Sequence, residues 1–144
     1  RVVLATEAEV ADGRALAARL ASEAVTVMQA TPATWKLLLA SGWTGKADLR
    51  VFCGGEALPE ALAEALLPRV GALWNLYGPT ETTIWSTCER VTEARPILIG
   101  RPIANTTCYV LDAAGQRTPI GVPGELWIGG AGVADGYFGR AALT

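Results

Sequence analysis

Hydrophobic positions in the first half of the chain switch between two periods. Val2-Val3-Leu4-Ala5 is a short apolar run that predicts a strand, and Leu16 and Leu20 stand at helical spacing within residues 10–22. The β-branched run 24–28 predicts a second strand. Pro32 sits where a proline opens a helix, which then runs through Trp35, Leu38 and Leu39 until Gly42 stops it. Residues 49–52 predict a third strand, Pro59 opens a helix containing Leu62, Leu66 and Leu67, and residues 72–76 predict a fourth strand. Short strands alternating with helical stretches predict βαβ units, hence an α/β fold on a parallel sheet with flanking helices.

Beyond Glu81 the pattern turns to strand-like alternation. Residues 84–91, 107–111 and 125–128 predict antiparallel strands, separated by the turn signals Asp112-Ala113-Ala114-Gly115 and Gly121-Val122-Pro123-Gly124. The expected division is a βα part over residues 1–90, followed by a smaller antiparallel β segment over 91–144.

In an open parallel sheet, ligands bind beyond the carboxyl ends of the strands. Three predicted strands end at Gln29, at Gly54-Gly55 and at Asn75-Leu76, each about one βα unit from the next. These ends are expected along one sheet edge. Gly54 and Gly55 carry no Cβ, so their backbone can approach a ligand closely. Standing alone, the pair reads equally well as a plain strand-to-helix turn.

The third of those ends runs on into Asn75-Leu76-Tyr77-Gly78-Pro79-Thr80-Glu81, where several chemistries meet in one predicted loop. Asn75 supplies an amide able to read the edge of a heterocycle, and Tyr77 a flat ring for stacking. Gly78-Pro79 turns the chain with little side-chain bulk. Thr80 and Glu81 present a hydroxyl and a carboxylate, suited to a phosphate oxygen and a hard cation such as Mg²⁺. The plainer reading is helix capping, with Thr80 as N-cap and Glu81 in the first turn.

Composition narrows the classes. Lys+Arg 12 against Asp+Glu 14 leaves a formal net charge of −2, which disfavours nucleic acid and anionic membranes as partners. Apolar runs such as Leu37-Leu38-Leu39-Ala40 fall far short of a membrane span, and the N-terminus lacks a signal-peptide pattern. Cys53, Cys88 and Cys108 are odd in number and widely spaced, so neither a disulfide framework nor a zinc site is expected, and a reducing, cytoplasmic home is. The chain has no histidine, which excludes Ser–His–Asp hydrolysis, Cys–His chemistry and His-ligated metals within it. Chemistry here must run on carboxylates, hydroxyls, backbone groups and a substrate's own phosphates.

The 75–81 segment resembles the YGPTE motif of adenylate-forming enzymes, specifically the amino-acid-activating adenylation domains of nonribosomal peptide synthetases. Gly124-Glu125-Leu126-Trp127-Ile128-Gly129-Gly130-Ala131-Gly132-Val133-Ala134-Asp135-Gly136-Tyr137 resembles that family's GELxIxGxGxARGY motif, with Asp135 where arginine is usual. The glycine cluster 129–132 lacks the strand–loop–helix context and the Lys-Ser/Thr of a phosphate loop, so it reads as loop structure.

The resemblance carries expectations residue by residue. It implies a flavodoxin-like subdomain with a β extension, the whole chain being part of one adenylation domain. Asn75 and the Leu76 carbonyl are expected to bind the adenine of ATP or AMP, with Tyr77 against the base and Gly54 and Gly55 near the nucleotide. Thr80 is expected to contact the α-phosphate, and Glu81 to ligate Mg²⁺. Gln29, Phe52, Gly54, Leu76, Gly78, Ile84 and Trp85 fall at positions that line the family's amino-acid pocket. Most of these are large, leaving little room for a side chain, and the series is similar to the signature of glycine-activating domains. Phe52, Leu76, Ile84 and Trp85 read equally, one by one, as ordinary core residues.

The implied activity joins ATP and an amino acid, expected to be glycine, into aminoacyl-AMP. The acyl group then passes to the phosphopantetheine thiol of a peptidyl carrier domain. The family's phosphate loop, ammonium-binding aspartate, ribose-gripping segment and catalytic lysine have no counterpart in these 144 residues, so the chain alone is expected to be inactive, its partners including the remainder of the adenylation domain. Two alternatives stand beside this reading: a fragment of an acyl- or aryl-CoA ligase, and a non-catalytic excised scaffold for grafting specificity. The segment Gly100-Arg101-Pro102-Ile103-Ala104-Asn105-Thr106 is more similar to the peptide-synthetase version than to the ligases.

Overall fold

Parallel strands and the helices packed on them together supply the buried apolar core. The computed structural model describes residues 1–143. It divides into a first unit of Arg1–Leu76 with Glu89–Gly100, and a second of Tyr77–Cys88 with the residues from Arg101 onward.

The first unit holds helices α1 (Glu7–Ala11), α2 (Gly13–Ser22), α3 (Pro32–Ala40) and α4 (Glu60–Leu66). Its strands are β1 (Val27–Ala30), β2 (Lys46–Cys53), β3 (Val70–Tyr77, up to Leu76) and the end of β4 (Thr87–Val91). β1 pairs in parallel with β2, Gln29 opposite Phe52 and Ala30 opposite Cys53. β2 pairs in parallel with β3, Phe52 opposite Trp74 and Cys53 opposite Asn75.

Side chains alternate between the faces of a strand, so this register sorts the sheet. One face presents Leu49, Val51, Cys53 and Leu73, which cluster with Trp35 and Leu38 of α3 and Leu62, Ala63 and Leu66 of α4. Right-handed crossovers from β1 to β2 and from β2 to β3 put both helices on that side. Leu38 is fully buried there, so truncating it to Ala costs about 2–5 kcal/mol. The opposite face carries Gln29, Phe52 and Trp74, with the last two rings stacked at 6.2 Å and 19° between planes.

In the second unit, Thr87 and Cys88 of β4 pair antiparallel with β5 (Arg101–Pro102). β6 (Thr106–Leu111) and β7 (Glu125–Gly130) form a two-stranded antiparallel sheet, from Thr106 opposite Gly130 to Leu111 opposite Glu125. The turn after β6 closes because the Asp112 carboxylate accepts from the N–H groups of Ala114 and Gln116, each at 2.9 Å. A mixed sheet with flanking helices plus a small antiparallel sheet is the fold class that the sequence predicts.

Several boundaries differ from expectation. Residues 2–5 form no strand. The helix expected over 10–22 is two helices, because Asp12 ends α1 in extended conformation and caps α2, accepting from Arg14 and Ala15. The second strand begins at Val27 rather than Ala24, whose φ of 50° belongs to the turn leaving α2. Pro32 does open α3, but Pro59 precedes α4 as its cap. The strand expected from Ile84 starts at Thr87. No helix among the described residues is long and apolar enough to cross a membrane.

Candidate functional site

In the first unit the strand ends line up as predicted. Ala30, Cys53 and Asn75 share one register row, with Gln29, Phe52 and Trp74 in the row before it. Gly54 N–H donates to the Ala30 carbonyl at 3.3 Å, continuing the ladder one residue past β2. Gly55 follows with φ +88°, a left-handed turn that glycine adopts at no steric cost. Asn75 is buried, and its Nδ2 donates to the Leu98 carbonyl at 2.8 Å. That bond orients the amide, whose Oδ1 is then the acceptor side of the group. Gln29 is exposed, while Phe52 and Leu76 are half-buried. A groove of about 780 Å³ under the N-terminal segment is lined by Val3, Leu16, Leu20, Val25 and others, and of the candidate residues it includes Gln29 alone.

In the second unit, residues 77–86 form a closed loop. Ser86 N–H donates to the Tyr77 carbonyl at 2.8 Å, and the hydroxyls of Thr82 and Ser86 hydrogen-bond at 2.5 Å. A single 3-10 turn, Thr80–Thr82, replaces the helix that the capping reading would need, and Pro79, not Thr80, precedes it. Trp85 N–H then donates to the Thr83 carbonyl at 2.8 Å, closing a γ-turn on Ile84, whose φ is +70°. Thr83 has φ +59°. Two consecutive β-branched residues in the left-handed region are a strained arrangement that neighbouring structure must hold in place. Gly78 permits the closure: a Cβ there would come within 2.6 Å of the Ile84 carbonyl oxygen and 2.7 Å of the Ser86 nitrogen. Trp85 is half-buried and Ile84 is 62% exposed, so the loop presents both side chains rather than burying them in a core.

Thr80 and Glu81 are exposed on that loop. Sequence reasoning missed what holds Glu81. The Tyr137 hydroxyl donates to Glu81 Oε1, and this bond keeps the Glu81 carboxyl below the usual carboxylate range. Ala134 N–H donates to the Glu81 carbonyl at 2.8 Å, and Thr83 Oγ1 to the Gly132 carbonyl at 2.8 Å. The 131–137 stretch of the glycine-rich motif is thus fastened to residues 81–83; the motif was the only signal of it in the sequence.

Glu81 is therefore a solvent-facing carboxylate that accepts from Tyr137 and favours its ionised form. Among the described residues no three His, Cys, Asp or Glu side chains gather into a metal cage. A cation at Glu81 would complete its shell with oxygens from outside the protein, as Mg²⁺ does with phosphates. The chemistry of this donor set fits that ion.

Similar proteins place the chain. The family model for AMP-binding enzymes matches residues 1–138. A dimodular nonribosomal peptide synthase of Bacillus subtilis is 44% identical over 146 aligned positions, covering 100% of this chain and 6% of that protein. The crystal structure of holo-AB3403, a four-domain nonribosomal peptide synthetase bound to AMP and glycine, matches with a TM-score of 0.92 and 53% identity over 97% of this chain and 11% of that one. PA1221, a protein of the same class containing adenylation and PCP domains, matches with a TM-score of 0.77 and 31% identity over 92% of this chain and 28% of its own. The chain thus spans a small part of the synthetases it resembles. Its strand ends, its closed 77–86 loop and its match across residues 1–138 agree with one assignment: the chain belongs to the family of AMP-binding enzymes.

Proposed function

We propose that this chain is the substrate-selecting part of an adenylation domain that activates glycine for nonribosomal peptide synthesis. The reaction joins the amino-acid carboxylate to the α-phosphorus of ATP, releasing pyrophosphate, and the acyl group then moves to a phosphopantetheine thiol on a carrier domain. The observation that carries the reading is the 77–86 loop, which holds an exposed carboxylate and a hydroxyl in one turn and Trp85 in the next.

Each residue has a proposed task. Asn75 Oδ1 and the Leu76 carbonyl accept from the adenine amino group, and Tyr77, 39% exposed, offers its ring to the base. Gly54 and Gly55 let backbone approach the nucleotide. Thr80 donates to an α-phosphate oxygen. Glu81 would hold Mg²⁺, which when bound offsets negative charge on the reacting phosphates. The glycine reading draws on the resemblance of the series Gln29, Phe52, Gly54, Leu76, Gly78, Ile84 and Trp85, several of them bulky, to the pocket signature of glycine-activating domains. The bound glycine in the 53% identical synthetase supports the same choice.

The test is amino-acid-dependent pyrophosphate exchange by a complete adenylation domain carrying this chain. Exchange with glycine well above that with alanine or larger amino acids is expected. A preference for a bulky amino acid would end the glycine reading and leave adenylation standing, whereas no exchange with any amino acid would end both.

A further inference from the structure

Tyr137 reaches Glu81 across 56 residues of sequence, and its hydroxyl is aimed at one oxygen of the carboxylate. Three other approaches fasten the same two segments: Ala134 N–H to the Glu81 carbonyl, Thr83 Oγ1 to the Gly132 carbonyl, and the bare Cα of Gly132 against the Thr82 carbonyl, where a Cβ would come within 2.9 Å. These contacts join the segments through backbone atoms and the Thr83 hydroxyl. The phenol adds something different, because it acts on the side chain of Glu81 and not on its backbone.

We infer that Tyr137 is a positioning residue for the Glu81 carboxylate, holding Oε1 so that the group is fixed before a cation arrives. The inference rests on the reading of Glu81 as the Mg²⁺ ligand. A free glutamate on an exposed turn samples many rotamers and loses that freedom when it ligates. A donor already on one oxygen removes part of that loss. It does not use up the group, since an ionised carboxylate has two oxygens and about four lone-pair sites. Carboxylates that bind metals are characteristically hydrogen-bonded by outer partners, whose loss lowers metal affinity or activity by about 10–100-fold. Tyr137 has the geometry of such a partner.

Tyr137→Phe keeps the ring and removes only the hydroxyl. In a complete adenylation domain carrying this chain, Mg²⁺ binding is measured directly by titration calorimetry, and pyrophosphate exchange is followed across a Mg²⁺ titration, for wild type, Tyr137→Phe, Glu81→Gln and the double variant. Tyr137→Phe is expected to raise the Mg²⁺ concentration giving half-maximal rate by about 10-fold, with the amino-acid KM little changed. In the Glu81→Gln background the same substitution is expected to have no further effect. An unshifted Mg²⁺ dependence overturns the inference. So does a loss that is equal at every Mg²⁺ concentration and persists beside Glu81→Gln, or a Tyr137→Phe chain that fails to fold, because the hydroxyl then serves structure alone. Wild-type Mg²⁺ dependence in Glu81→Gln would instead remove Glu81 from the metal, overturning the reading beneath the inference.

Discussion

The hydroxyls of Thr82 and Ser86 lie 2.5 Å apart in a buried hydrogen bond at the base of the loop that carries Ile84 and Trp85. Thr82 Oγ1 also lies 3.2 Å from the Pro79 carbonyl, so one hydroxyl ties the start of the turn to its end. Thr82→Val keeps the shape and strands the Ser86 hydroxyl away from this partner. A buried polar group so orphaned costs about 1–3 kcal/mol. The urea midpoint is expected to fall with no change in m-value, and adding Ser86→Ala should recover part of the loss. An unaltered midpoint for Thr82→Val would show that the pair does not hold the loop.

Gly78→Ala attacks the same closure from the other side. The added methyl would meet the Ile84 carbonyl oxygen at 2.6 Å and the Ser86 nitrogen at 2.7 Å, both backbone atoms that cannot rotate away. Overpacking of this kind costs about 1–3 kcal/mol. Thermal unfolding should show the loss, and exchange activity in a complete domain should fall further than stability alone explains. Retained activity at wild-type stability would mean that the loop opens without consequence.

Trp85→Ala tests the proposed limit on substrate size. Truncating a fully buried tryptophan costs about 3–5 kcal/mol, and the half-buried Trp85 should cost less. In a variant shown to be folded, activation is expected to shift from glycine toward alanine or larger apolar amino acids. An unchanged preference would remove Trp85 from the specificity role.

Cys53 gives a pH-dependent prediction. Burial, assisted by the nearby Glu56 charge, pushes its thiol up to about 12. The folded state thus favours the neutral thiol over the thiolate. The stabilisation this represents is fully present below the unfolded value near 9.0 and is lost as pH rises through that value toward about 12. At pH 8 the thiolate should be on the order of one part in 10⁴. Iodoacetamide is therefore expected to leave Cys53 unmodified in the native chain and to alkylate it in urea. Equal rates in both would contradict the buried, protonated thiol.

Local features of the sequence were read most directly. Pro32 and Gly42 bracket α3 because each acts on its own backbone, one by opening the helix and the other, at φ +88°, by leaving it. The aligned strand ends were legible because parallel βα repeats of similar length force a common register. Residues 2–5 were misread because an apolar run becomes a strand only where another strand offers hydrogen bonds. Asp12 split a helix because its side chain outcompeted the helical backbone for the next N–H groups. Ile84 has strand-like chemistry, yet the close approach at Gly78 and the bond from Trp85 to Thr83 turned it into a γ-turn. The candidate residues 75–81 lay in one contiguous motif, and Gln29, Phe52, Gly54 and Gly55 at strand ends of regular spacing, so they could be named, whereas the hold of Tyr137 on Glu81 depends on a contact that no local pattern encodes.

The lock on the 77–86 loop has a consequence for how such a site can be inherited. The bonds that close it on itself run through backbone atoms, the bare Gly78 and the Thr82 and Ser86 hydroxyls; Ile84 and Trp85 enter them through main-chain atoms. Their side chains are free to be exchanged while the frame that displays them keeps its shape. Under the proposed role of this loop in substrate selection, changes at these two positions alter what it accepts while the closing bonds stay in place. The frame closes the loop, and the two side chains are its replaceable parts.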